Sequence, residues 1–143
     1  MYKKILVPLD NSVTDETILI HIRALANWSK SQLVLVHVVE GFAARLQDDL
    51  NLVDSQEKKE DQAYLEGVSH SLKADGFTVK AVLVQGKEPV DGILDVAKEE
   101  GCDLIAMSTH GHKFIQDVIL GSVADKLRHC TDIPILMIRS SLK

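Results

Sequence analysis

Hydrophobic positions along the chain fall into two alternating patterns. Short apolar runs at Lys4 to Leu9, Leu33 to Val39, Thr78 to Gln85, Leu104 to Met107 and Ile135 to Ile138 mark five strands, and in Leu33 to Val39 the apolar residues are continuous and do not alternate with polar ones. Runs of this kind read as strands buried on both faces, which points to a parallel sheet. Between them the apolar residues recur at helical spacing. Ile18, Ile22 and Leu25 mark a helix that starts among Asn11, Ser12, Thr14, Asp15 and Glu16 and runs to about Ser29. Leu65, Val68 and Leu72 mark a second over 56–75, closed by Gly76. Pro89 sits at the first turn of a third, with Val90, Ile93, Leu94 and Ala97 as its core face and Gly101 as its stop. Val123, Leu127 and Cys130 mark a fourth, which Gly121 and Ser122 open. Residues 40–55 have no clear period and read as a flap or as the start of the second helix.

The order is therefore βαβαβαβαβ, an α/β class with right-handed crossovers, read as one domain over residues 1–143. In open sheets of this class ligands bind at the carboxyl ends of the strands, where strand order reverses. Asp10 ends the first strand and Ser108 the fourth. In a sheet ordered 3-2-1-4-5 those two ends flank the reversal and meet in one crevice.

The loop after the fourth strand has the composition of an anion site. Gly111 is followed by nine residues and then by Gly121-Ser122 at a helix start. Glycines allow close backbone approach, and free first-turn N–H groups with the helix dipole favour negative charge. There is no GxxxxGK[ST] and no GxGxxG after the first strand, so neither the P-loop nor the usual dinucleotide fingerprint applies. Taken alone, the loop also fits an ordinary strand–loop–helix connection.

Composition narrows the classes further. At 143 residues with 45% hydrophobic and 26% charged residues the chain can build a genuine core. A net charge of −5 without a basic run argues against nucleic acid as a partner. The apolar run Leu33 to Val39 is far short of a membrane span, and no targeting segment is visible, so a cytoplasmic protein is expected. Cys102 and Cys130 lack CxxC spacing and read as reduced, partly buried thiols. His110 and His112 form an HxH pair without an obvious third ligand, so no metal site is assigned. The remaining histidines, His37 among them, read as structural or surface residues. A phosphoacceptor role for Asp10 would need an acid ending strand three, where Gln85 stands. Asp10 could instead be a plain strand-end carboxylate capping the following helix through Asn11 or Ser12. No activated nucleophile or paired catalytic carboxylates stand out, so no catalytic residue is named.

Ser108-x2-Gly111-x9-Gly121-Ser122 resembles the nucleotide loop of the universal stress protein family, G-2X-G-9X-G-[ST], with Ser108 in place of the first glycine. Ile5 to Ser12, Leu35 to Val38, Gly86 to Pro89 and Ile133 to Ile138 are similar to the family's opening strand, second strand, turn into helix three and closing strand. The resemblance covers nearly the whole chain and is weakest at residues 40–55. It implies a Rossmann-like fold of the adenine nucleotide alpha hydrolase type, with five parallel strands and four helices, in a homodimer. Some members of the family bind ATP and others do not. Carried over by residue, Asp10 and Val38 lie at the adenosine. Met107, Ser108, His110 and Gly111 wrap the ribose and α-phosphate, and Gly121, Ser122 and Val123 hold the outer phosphates. A nucleotide's own Mg²⁺ or Mn²⁺ would be held mostly by phosphate oxygens. Ser108 narrows the space where the motif has no side chain, and is expected to tolerate nucleotide without contributing much to binding. The function implied is a nucleotide-binding stress or regulatory protein, at most a slow ATPase; the alternative is a nucleotide-free dimeric adaptor. The homodimer is expected through Ile135, Leu136, Met137 and Ile138, an uncharged edge strand.

Overall fold

The computed structural model describes residues 1–39, 51–109 and 117–141. Nine elements follow in order: β1 (Lys4–Pro8), α1 (Asp15–Ser29), β2 (Gln32–Val39), α2 (Asn51–Ala74), β3 (Val79–Gln85), α3 (Pro89–Glu100), β4 (Leu104–Thr109), α4 (Asp117–Cys130) and β5 (Ile135–Arg139). All strand pairings are parallel, and the order is β3-β2-β1-β4-β5. The expected order and alternation are both present.

Both faces of this sheet are covered, which is why its strands read as unbroken apolar runs. On one side Ile5, Val7, Leu33 and Leu35 pack with Ile18 and Ile22 of α1 and Leu65 and Leu72 of α2. On the other, Leu6, Val34, Val36 and Ile105 pack with Ile93 and Val96 of α3 and Leu127 of α4. Ile5, Leu6 and Val7 are all fully buried although they point alternately to opposite faces. Burying one such side chain stabilises by roughly 1.5–3 kcal/mol, so the central strands anchor the fold.

Helix α3 lies especially close to the sheet. A Cβ on Gly92 would stand 2.9 Å from Val38 Cγ2, closer than real Cβ atoms approach, and 3.2 Å from Val84 Cγ1, a tight contact. Gly101 then ends the helix at φ 68°, a left-handed cap that costs glycine nothing.

Three local expectations change. Helix α2 begins at Asn51, five residues ahead of the expected start at residue 56, because the segment from Asn51 to Ser55 contains no Gly or Pro to stop a helix. Residues 40–50 of the aperiodic stretch lie outside the described residues. Helix α4 begins at Asp117 and not at Gly121. Asp117-Val-Ile-Leu120 is compatible with helix, and one interior glycine costs only about 1 kcal/mol. Its first-turn N–H groups are therefore those of Asp117 to Leu120, with Gly121 and Ser122 in the second turn. Cys130 is exposed, one turn beyond the buried Leu127; Cys102 is buried, and both thiols are free. Burial pushes the Cys102 thiol up to about 11, so it is a poor nucleophile. Among the described residues no helix is long and apolar enough to cross a membrane.

Candidate functional site

Strand β1 pairs with β2 on one side and with β4 on the other, so the reversal of strand order falls between β1 and β4. At the carboxyl ends of these strands a crevice of about 120 Å³ opens. Its walls include Asp10, Thr14 and Asp15 from the β1–α1 turn, Val36, His37 and Val38 from β2, Met107 and Ser108 from β4, Pro89 and Ile93 from α3, and Val123 from α4. Of the residues expected at the site, Asp10, Val38, Met107, Ser108 and Val123 are thus brought together. Gly121 and Ser122 lie in α4 just ahead of Val123. His110, Gly111 and His112 fall outside the described residues.

The β1–α1 turn is built by hydrogen bonds among its own short polar residues. Ser12 donates from its backbone N–H (3.1 Å) and its hydroxyl (2.5 Å) to Asp10 Oδ1. With that proton committed, the 2.7 Å contact between Ser12 and Thr14 hydroxyls has Thr14 as donor. Asp10 therefore bonds Ser12, as the capping alternative expected, but it closes the turn ahead of α1 and does not cap the helix itself, which begins at Asp15; it also lines the crevice. Ser108 reaches across from β4, its hydroxyl donating to the Thr14 carbonyl at 2.7 Å. That bond ties together the two strand ends flanking the reversal. It also commits the one proton of the side chain that stands where the family motif has glycine.

Beneath the turn lies a second polar layer that sequence reasoning missed. Asp15, 4% exposed, is the first residue of α1 and folds back under the turn. Its carboxylate accepts the N–H groups of Asp10 (3.3 Å) and Asn11 (2.9 Å) and the Tyr64 hydroxyl of α2 (2.6 Å). Burial first, and then the neighbouring Asp10 charge, push Asp15 up to about 6, against the lowering effect of the Tyr64 hydroxyl and the Asp10 N–H. The Tyr64 hydroxyl is pushed well above its ordinary range by burial and by Asp15. Asn11 sits in the left-handed region at φ 61°, which Asn tolerates better than most residues.

His37, read from sequence as structural, anchors the adjacent strand. Its Nδ1 donates to the Leu9 carbonyl at 2.7 Å, and its Nε2 faces Asp61 Oδ2 of α2 at 3.0 Å. Asp61 also accepts from the Asn11 side-chain amide at 3.2 Å. Helix α2 is thus fastened to the carboxyl ends of β1 and β2 at two points, Asp61 and Tyr64. In the sequence Asp61 ends the charged run Glu57-Lys-Lys-Glu-Asp61 and Tyr64 adjoins Leu65 of the apolar face; neither position signals a contact with the β1–α1 turn.

Comparison with known proteins is consistent across the chain. The model of the universal stress protein family matches residues 1–139. Universal stress protein MJ0577 of Methanocaldococcus jannaschii is 28% identical over 156 residues, covering 97% of this chain and 96% of its own. Its solved structure has a TM-score of 0.86 at 30% identity, covering 100% and 99% of the two chains. Universal stress protein YxiE of Bacillus subtilis is 26% identical, covering 97% and 100%. A structure of a universal stress protein family member from Burkholderia pseudomallei has a TM-score of 0.74 at 28% identity, covering 97% of each chain. With the strand order, the reversal crevice and the match over residues 1–139 all in agreement, the chain belongs to the universal stress protein family.

Proposed function

We propose that the crevice binds an adenine nucleotide, ATP in the first instance, with or without Mg²⁺ or Mn²⁺, and that the protein acts as a nucleotide-binding stress or regulatory protein. The observation that carries this reading is the meeting of Asp10 and Ser108, from opposite ends of the chain, in one crevice at the reversal of strand order. The walls fit the chemistry of a nucleoside. Val36, Val38, Ile93 and Met107 offer apolar surface to a base, and Asp10 at the mouth offers acceptors to ribose hydroxyls. At about 120 Å³ the described walls suit a ring system, so the phosphates lie outward, toward α4. Asp10 and Val38 take the adenosine; Met107, Ser108, His110 and Gly111 the ribose and α-phosphate; Gly121, Ser122 and Val123 the outer phosphates. Two proteins of the same fold have been solved with adenine nucleotides. One is a universal stress protein with cAMP (TM-score 0.70, 21% identity), the other the Archaeoglobus fulgidus protein with dAMP (TM-score 0.66, 23% identity). Those ligands belong to those proteins, and they make the same ligand class the natural one to test here.

Calorimetry with ATP tests the reading. Wild type should bind, and Gly121→Glu should lose at least a hundredfold in affinity, because a carboxylate placed at the phosphates repels them. Equal affinity in both would overturn the phosphate placement. No binding by wild type would leave the nucleotide-free adaptor as the reading.

The protein also pairs with a second copy of itself through β5. This strand is at one edge of the sheet, with β4 as its neighbour, and an uncovered apolar edge is a template for antiparallel pairing about a two-fold axis. Leu136 and Ile138 pack with the core cluster of α1 and α2, whereas Met137 is 39% exposed. Met137→Lys therefore tests the edge without emptying the core. Sedimentation should give dimer mass for wild type and monomer mass for the variant; a monomeric wild type would end the idea.

A further inference from the structure

Asp15 is the one buried carboxylate among the described crevice walls, and the groups around it explain how it can hold or lose charge without moving. It sits at the start of α1, where the helix dipole favours an anion, and three donors converge on it. Two are backbone N–H groups, which can only donate. The third is the Tyr64 hydroxyl, which can donate or accept. When Asp15 takes up a proton, Tyr64 turns from donor to acceptor and the backbone bonds from Asp10 and Asn11 remain. The turn keeps its shape, and what changes is one unit of negative charge in the wall of the crevice.

We propose that Asp15, held by Tyr64, is a proton-sensitive positioning residue that tightens the crevice on anionic ligands when it is protonated. The inference rests on the nucleotide reading above and adds regulation of that same site. The charged group facing Asp15 is Asp10, just past the end of β1; Glu16, its neighbour in α1, acts on Tyr64. Tyr64 contacts it from α2, and Asn11 links it onward to the pair of Asp61 from α2 with His37 from β2. From α3, β4 and α4 the crevice wall brings Pro89, Ser108 and Val123, none of them titratable. The nearest charge, Asp10, is negative and opposes ionisation of Asp15, and burial acts in the same direction. Asp15 therefore titrates near pH 6, within reach of mild acidification. A triphosphate gains from loss of the wall charge, whereas a neutral nucleoside is indifferent to it. By reciprocity, a bound nucleotide raises the proton affinity of Asp15.

The test is isothermal calorimetry with ATP and with adenosine between pH 5 and 8, on wild type, Asp15→Asn and Tyr64→Phe. Titration of the phosphates of ATP, and of His110 that the nucleotide reading places beside them, is common to all three proteins and cancels in the comparison. Relative to Asp15→Asn, wild type should bind ATP roughly three- to tenfold more tightly at pH 5 than at pH 8, while adenosine shows no such difference. Tyr64→Phe removes a hydrogen bond that lowers the Asp15 pKa, so its inflection should move to higher pH. A merely structural role for Tyr64 would weaken binding at every pH without moving the inflection. ATP binding with parallel profiles in wild type and Asp15→Asn would overturn the inference alone. Absence of binding of either ligand to wild type at any pH would overturn the nucleotide reading and this inference together. Where Asp15→Asn fails to fold, the position of the inflection in Tyr64→Phe decides the matter against wild type.

Discussion

Two carboxylates grip the two ends of β1 in the same way and end with opposite properties. At the amino end Asp103 accepts the N–H groups of Lys3 (2.9 Å) and Lys4 (3.0 Å), joining the start of β4 to the start of β1. At the carboxyl end Asp15 accepts the N–H groups of Asp10 and Asn11. Burial is the largest single influence on Asp103 and raises it, but the N–H groups of Lys3, Lys4 and Asp103 itself, with the charge of Lys3, together outweigh it and hold the carboxyl below its ordinary range. Asp15 is covered by α2 and faces Asp10 in place of lysine, so the same backbone grip leaves it raised. A doubly bonded carboxylate is thus a permanent clamp where cations surround it and a titrating one where the neighbours are acidic. The clamp sits at the end of the sheet away from the crevice, and the titrating group sits in the crevice wall.

The largest test of this contrast is stability against pH. Asp15 is raised from 3.8 to about 6 in the folded state. The folded protein therefore binds more protons than the unfolded chain between those values, and stability falls as pH rises through that window. The effect is on the order of 3 kcal/mol. Asp15→Asn mimics the protonated form, so it should be close to neutral at pH 4 and stabilise by about that amount at pH 8 in urea denaturation. Equal effects at both pH values would break the comparison. The sign reverses for Asp103. Its lowered pKa contributes stability that is present above 3.8 and lost as pH falls through the folded value. Asp103→Ala should cost about 1–2 kcal/mol at pH 7, reduced by the partial exposure of its bonds, and less at pH 3. ATP affinity, read by calorimetry, should be unchanged, since Asp103 lies at the opposite end of β1.

The smallest expected effect comes from the link between the two strand ends at the crevice. Ser108→Gly removes the bond to the Thr14 carbonyl and should cost about 1 kcal/mol of stability. ATP affinity should stay within a few-fold, because the hydroxyl already has its acceptor. A tenfold fall in affinity, ~1.4 kcal/mol, would make the hydroxyl a ligand in its own right.

The sheet was legible in the sequence because burial on both faces leaves a signature that needs no partner to interpret: Ile5, Leu6 and Val7 can all be apolar only if both sides are covered. Asp10 and Ser108 were legible for a related reason. They end such runs, and strand order alone brings those ends together. What was hidden depended on contacts between distant segments. Tyr64 meets Asp15 across 49 positions of chain, and Asn11 meets Asp61 across 50. No local period marks which polar residue on the face of α2 will point inward. The start of α4 was hidden by a different mechanism, since Gly121 looks like punctuation whereas the helix runs through it from Asp117, a single interior glycine costing only about 1 kcal/mol. Cys130 kept the helical period of Val123 and Leu127 but lies past the last turn that the sheet covers, so periodicity overstated its burial.

Gly92 shows how the width of the crevice can depend on an atom that is missing elsewhere. The side chain a Cβ there would strike belongs to Val38, which has two faces: one against α3 and one in the crevice wall. Valine has little rotamer freedom with which to yield. An added methyl at position 92 would therefore move either the helix or the wall. Position 92 is thus a dimensional gauge for the pocket: bare, it lets α3 seat fully and keeps Val38 in place, and where the wall yields instead of the helix, a larger residue re-cuts the pocket from behind without altering any residue that lines it.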